Sequence, residues 1–158
     1  MKIESLLVAI AAFAVNLPTP AFGAEIFTGR VVAVLDGDTL DVLQAGNVVR
    51  RVRMAEIDAP EKAQAFGSRS KLSLSGICFS KEAQVQVVDT DRYGRAVGRV
   101  NCAGTDANLT QVQRGMAWAY RQYAKDPAII HAESQARGQR IGLWADPAPT
   151  PPWQWRRQ

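Results

Sequence analysis

Three short segments carry ionic side chains whose types suit one piece of chemistry: Asp36-Gly37-Asp38-Thr39, the run from Arg53 to Glu61 (RMAEIDAPE), and Asp91-Arg92-Tyr93-Gly94-Arg95. Asp38 and Asp58 are the candidate metal ligands, because carboxylates and carbonyls suit hard divalent cations. Arg53 and Arg95 are the candidate phosphate ligands, because a guanidinium grips phosphate oxygens two at a time and stays charged at any useful pH. Glu61, three residues beyond Asp58, could orient a water or accept its proton. Those are the parts of metal-assisted phosphodiester hydrolysis. Each residue alone has a plainer reading: Asp36-Gly37-Asp38 as an ordinary turn, Arg95 as a surface partner of Asp91, Glu61 as a first-turn helix carboxylate. Only the set argues for chemistry.

The elements that must position this set read as follows. Residues 25–35 are apolar and β-branched and end in the turn-forming Asp36-Gly37; residues 39–43 follow as a second strand and 48–57 as a third, rich in Arg. Strict alternation along that third strand puts Arg53 and Asp58 on opposite faces, so the chain has to bend between them, and Pro60 is the expected cause. A helix is expected over 65–75, strands over 84–88 and 96–102, a helix from a cap at Thr105 or Asp106 to Arg114, and another from Asp126-Pro127 to about Arg137. Residues 146–158 (DPAPTPPWQWRRQ) are too rich in proline for regular structure, and Trp153 and Trp155 are too apolar for a free tail, so the segment should lie against the domain. Five short strands with a helix between the third and fourth are the order of an OB-type Greek-key barrel, here an α+β fold with about three packed helices.

At 158 residues the chain has room for one domain. Lys2, the apolar run at 6–15, the break at 16–20 and small residues at 21 and 23 read as a signal peptide cleaved after Gly23, although Glu4 is out of place in a basic start. The apolar run is shorter than the roughly 18–20 residues of a membrane span. The expected mature domain is then 24–145 followed by the 146–158 tail, exported to the periplasm or secreted, with no stable membrane association. The net charge of +4 survives loss of Lys2 and Glu4 and suits a polyanionic partner, though it speaks to association and not to chemistry. Cys78 and Cys102 read as a disulfide in an oxidising compartment, the alternative being two buried thiols; with His131 as the single histidine, a zinc site is not expected.

On these residues the chain resembles the staphylococcal nuclease (thermonuclease) family across about 26–144. The matching text is VLDGDTL at 34–40, RVRMAEIDAPE at 51–61, QAFG at 64–67, DRYGR at 91–95, GMA at 115–117 and GLW at 142–144. The resemblance implies an OB-fold barrel with three helices and Ca²⁺-dependent hydrolysis of DNA and RNA to 3′-phosphate ends. It implies calcium on Asp38, Asp58 and the backbone carbonyl of Ala59, with Asp36 behind them. It further implies Arg53 and Arg95 on the scissile phosphate, Glu61 at the water, and Tyr93 on the nucleotide. A second nucleotide-contacting tyrosine falls on Tyr120 or Tyr123, and spacing does not choose.

The chain also departs from the family's type member. Ala59 stands where that protein has threonine, which leaves the carbonyl in place. Glu56 replaces a small or apolar residue and either tunes the site or faces solvent. Cys78 and Cys102 are additions that would staple the hairpin of the last two strands to the preceding helix. Asp91 and Arg92 read as turn and surface residues. The expected partners are DNA and RNA, and a monomer is expected. The competing class is a non-catalytic OB module that binds nucleic acid or protein; such domains typically lack the acidic and arginine residues present here.

Overall fold

The computed structural model describes residues 25–158, so the expected signal segment lies outside the described residues. Its elements in chain order are β1 (Ile26–Val34), β2 (Thr39–Gln44), β3 (Val48–Met54), β4 (Ile57–Asp58), α1 (Gly67–Cys78), β5 (Glu82–Thr90) and β6 (Ala96–Cys102). Then come β7 (Thr105–Asp106), α2 (Ala107–Gln113), β8 (Trp118–Ala119), α3 (Pro127–Gly138) and a single-turn α4 (Pro152–Trp155). Antiparallel ladders run β3-β2-β1-β5-β6, and a parallel pairing of β3 with β6, Val52 to Ala96 through Met54 to Gly98, joins the two ends. The result is a closed five-stranded barrel of the OB type with helices packed on it, an α+β fold.

Alternation is what builds the barrel. In β5 the inward Ala83, Val85 and Val87 are buried while the residues between them face water. Leu40, Val42, Val52, Met54, Val85 and Val100 meet inside at 0–1% exposure. Each such side chain contributes roughly 1.5–3 kcal/mol of transfer free energy. One end of the barrel is plugged by α1 through Leu74, Ile77 and Cys78. The Cys78–Cys102 disulfide is formed and ties the end of α1 to β6.

Three details differ from the sequence reading, and one choice that it left open is settled. Helix α1 starts at Gly67 and runs to Cys78, because residues 61–66 are spent in turns in which Gln64 N–H donates to Glu61 O and Gly67 N–H to Gln64 O. Strand three stops at Met54, since Glu56 adopts a left-handed conformation (φ 66°) that no strand can carry. Asp106 is the cap of α2, accepting from Leu109 N–H at 2.9 Å. The proline-rich end is not wholly irregular: Pro151 leads into α4, where Pro152 sits at the first helical position and so forfeits no hydrogen bond.

Candidate active site

The turn between β1 and β2 is fixed from three sides. Asp36 Oδ1 accepts the backbone N–H of Asp38 at 3.0 Å, a local bond that shapes the turn. Gln111, fully buried on α2, donates through Nε2 to the carbonyls of Gly37 (2.7 Å) and Ser70 (3.1 Å). Gly37 lies so close to α1 that a Cβ there would stand 1.8 Å from Ser70 Oγ. Asp38 is thereby aimed inward, where its carboxylate accepts from Thr39 Oγ1 (3.0 Å) and from the backbone N–H of Ala59 (2.6 Å).

Asp58 arrives from the other direction. The left-handed Glu56 bends the chain before Pro60 is reached, and the two-residue strand β4 then pairs with β8, Asp58 opposite Trp118. The bend brings Arg53 and Asp58, five residues apart, to one place. Arg53 Nη2 lies 3.0 Å from Asp58 Oδ1 and 3.2 Å from Asp38 Oδ2, bridging the two carboxylates. Its Nη1 donates to the carbonyls of Met54 and Ile57 and so holds the bend itself.

At Asp38 the Arg53 charge does not offset burial. Burial pushes the Asp38 carboxyl up to about 7, Asp36 and Asp58 adding to the rise while Arg53 opposes it. A buried carboxyl whose ionisation is opposed first by burial and then by its acidic neighbours, beside a second buried carboxylate, is a donor set that fits a hard cation. Among the described residues no three His, Cys, Asp or Glu side chains form a ready cage. The remaining ligands of such an ion would therefore come from backbone carbonyl, water and substrate oxygens.

Arg95 faces the same cleft from the β5–β6 hairpin. Asp91 organises that turn: it accepts from the backbone N–H groups of Tyr93 (2.9 Å) and Arg95 (3.0 Å) and from Arg95 Nε (2.7 Å). Burial alone would raise the Asp91 carboxyl, but the Arg95 side chain and these backbone donors outweigh it and hold it below the ordinary range. Gly94 (φ 78°) supplies the left-handed step that returns the chain to β6. Tyr93 stands 69% exposed at the cleft edge, its ring covered by the guanidinium groups of Arg92 and Arg95 at 5.0 and 5.5 Å.

All of Asp36, Asp38, Arg53, Asp58, Ala59, Glu61, Tyr93 and Arg95 line one open cleft of about 1110 Å³. Glu61 is partly exposed and accepts from Arg156 Nη1 at 2.6 Å. Tyr120 and Tyr123 both border the cleft and pack edge to face at 4.9 Å. Tyr120 also stacks on Trp153, leaving Tyr123 the more exposed of the two. His131 is exposed on α3, away from the cleft lining.

Several participants escaped the sequence reading. Ser70 and Gln111 lock the Asp36–Asp38 turn, yet in the sequence they are unremarkable polar residues on helices. Asp91 and Arg92 are the turn and surface residues expected, and the expected pairing of Asp91 with Arg95 is present, but Asp91 also braces Arg95 at the cleft. Glu56 neither idles in solvent nor turns toward the carboxylate pair. Its carboxylate accepts from Lys125 N–H (2.7 Å), Asp126 N–H (3.0 Å) and Arg99 Nη2 (2.7 Å), pinning the entry to α3. Arg156 had no local signal at all.

Comparison with known proteins places these observations. The model of the family described as staphylococcal nuclease homologues matches residues 51–146. A protein of Escherichia coli called ParB is 45% identical over 98% of this chain and 92% of its own length. A Shigella flexneri protein called micrococcal nuclease is 48% identical over 83% of this chain and 81% of its own. An uncharacterized endonuclease of Haemophilus influenzae is 49% identical over 83% and 74%.

Proposed function

Since this chain belongs to the staphylococcal nuclease family, we propose that it is a calcium-dependent endonuclease that hydrolyses DNA and RNA with little base specificity and leaves 3′-phosphate ends. The observation that carries the reading is the meeting, in one open cleft, of two buried carboxylates bridged by Arg53 with Glu61 beside them and Arg95 on a braced turn. Asp38, Asp58 and the carbonyl of Ala59 are the groups to hold calcium, which when bound supplies a Lewis acid for a phosphoryl oxygen.

The chain's own residues do the rest. Arg95 is presented by a hairpin whose geometry Asp91 fixes, so its guanidinium enters the reaction with little ordering left to do. Arg53, already ordered by four acceptors, offers the charge that builds up on the phosphate a stationary partner. Glu61 orients the attacking water and takes its proton as the water oxygen bonds to phosphorus; the bond to the 5′ oxygen breaks, and that oxygen leaves with a proton drawn from solvent. Tyr93, exposed at the cleft edge beside Arg92 and Arg95, is placed to contact a nucleotide. Phosphate contacts position a nucleic acid without reading its sequence, and an external water needs no 2′-hydroxyl, so both DNA and RNA are substrates.

The Cys78–Cys102 disulfide supports export to an oxidising compartment. No helix among the described residues is long and apolar enough to cross a membrane. The deciding experiment incubates the purified mature protein with plasmid DNA and with RNA, in calcium and in chelator. Calcium-dependent cutting of both is expected; intact nucleic acid that is nonetheless bound would assign the domain to the non-catalytic class, and cutting of RNA alone would refute the external-water mechanism.

A further inference from the structure

The carboxylates of the cleft have a partner that neither the family match nor the proposed mechanism employs. Arg156 lies just beyond α4, ten residues past the end of the family match at 146. Its Nη2 is 2.8 Å from Asp58 Oδ2, and its Nη1 is 3.2 Å from Asp58 Oδ1 and 2.6 Å from Glu61 Oε1. With Arg53 on Oδ1 as well, both oxygens of Asp58 are engaged by guanidinium groups.

The segment that delivers Arg156 is anchored. Trp153 stacks on Tyr120 at 5.4 Å with the rings 9° apart and meets Trp118 edge-on at 5.5 Å. Gln64 Nε2 donates to Thr150 O at 2.6 Å, and Pro152 is buried. The Arg156 side chain itself is 42% exposed. A fixed base thus carries a head with an open side toward the cleft.

We propose that Arg156 is a tethered counter-ion that occupies Asp58 and Glu61 until a phosphodiester draws it away, so that divalent cation and nucleic acid load together. The proposal rests on the metal-nuclease reading. A guanidinium spread over both oxygens of Asp58, with Arg53 on one of them, occupies most of the positions and the negative charge that a second cation would use, so the two compete. Phosphate is the competitor able to take Arg156, because it offers the same paired, charge-assisted hydrogen bonds that the carboxylates do. Arg156 moved onto a phosphate frees Asp58 and releases Glu61 to handle water. The anchored strap keeps the guanidinium within reach throughout. By reciprocity, a cation settled on Asp58 strengthens phosphate binding by the same factor.

The test reads calcium affinity by titration calorimetry, not cleavage. Wild type, Arg156→Ala, Arg156→Lys and Trp153→Ala are compared, each with and without a short phosphorothioate oligonucleotide that resists hydrolysis. Arg156→Ala should bind calcium on the order of tenfold more tightly in the absence of oligonucleotide, a coupling of ordinary size. The gain in calcium affinity that the oligonucleotide gives wild type should largely vanish in this variant. Arg156→Lys keeps a cation and should stay near wild type. Trp153→Ala loosens the strap and should shift in the direction of Arg156→Ala, with thermal melting verifying that each variant folds. Unchanged or weaker calcium binding in folded Arg156→Ala, or a full oligonucleotide effect in it, overturns the proposal. So does a failure of calcium to bind any of the four proteins. Cutting of plasmid DNA by wild type judges the nuclease reading separately.

Discussion

Replacing Asp38 by Asn should stabilise the calcium-free protein, and by an amount that depends on pH. Asp38 is pushed up to about 7 in the fold from 3.8. A carboxyl whose folded pKa lies above its unfolded one binds its proton more tightly when folded. The stability it contributes is therefore fully present below pH 3.8 and is lost as pH rises through 7. The gap of about three units, at ~1.36 kcal/mol each, comes to about 4 kcal/mol of destabilisation at alkaline pH. Asn keeps the shape and an oxygen for the Ala59 N–H, and it carries no charge to bury.

Urea unfolding in chelator, analysed by linear extrapolation, is the assay. At pH 8.5 Asp38→Asn should exceed wild type by about 2–4 kcal/mol, and at pH 4.5 the two should agree within about 1 kcal/mol. Saturating calcium should then reverse the order at pH 8.5, since stabilisation by a ligand accrues only to the protein that binds it. Equal stabilities at pH 8.5, or a gap that does not change with pH, would refute the reasoning, for it would mean that the Asp38 carboxylate sits in the fold without strain.

Glu61→Gln and Arg95→Ala should each lower kcat by about 10²–10³-fold without lowering the melting temperature appreciably; full activity in either variant would remove that residue from the site. Asp91→Asn should retain the turn's backbone bonds but weaken the hold on Arg95 Nε. A loss smaller than that of Arg95→Ala is expected in the same kinetic assay. Removing the disulfide by Cys78→Ala with Cys102→Ala should cost about 3 kcal/mol in chemical unfolding, from the loop of 24 residues it closes. Gly37→Ala would set a methyl 1.8 Å from Ser70 Oγ, so it should destabilise by roughly 1–3 kcal/mol and reduce calcium affinity by displacing Asp38. Pairing it with Ser70→Gly should recover part of both losses.

How much of this was legible beforehand varied with the range of the interaction. Strand alternation and capping are local, so β1, β2, β6, α2 and α3 could be read within a residue or two, Asp106 and Asp126 announcing two of the helix starts. The bend that joins Arg53 to Asp58 was inferable from the alternation itself, but its location was assigned to Pro60. The structure puts it at Glu56, whose left-handed backbone is sustained by contacts with Arg99 and with residues 125–126, far along the chain. No local pattern announces such a residue. Arg156 illustrates the same limit more sharply. It sits 98 residues from Asp58, and what determines where it points is the docking of its segment, Trp153 against Tyr120 and Trp118 and Thr150 on Gln64.

The parallel seam between β3 and β6 has a consequence for when the enzyme can exist. Arg53 and Val97 are register partners across that seam, and Arg95 immediately precedes β6. Until the seam closes, the hairpin that carries Arg95 is joined to the strands that carry Arg53 and the acids only through the β1–β5 ladder. Pairing strands so distant in sequence is slow, since a large loop must be closed before any contact rewards it. A form in which the seam is still open therefore lacks the closed cleft, and cutting waits on that closure. On dilution from denaturant, cutting should return with the last and slowest phase of refolding rather than with the collapse that precedes it.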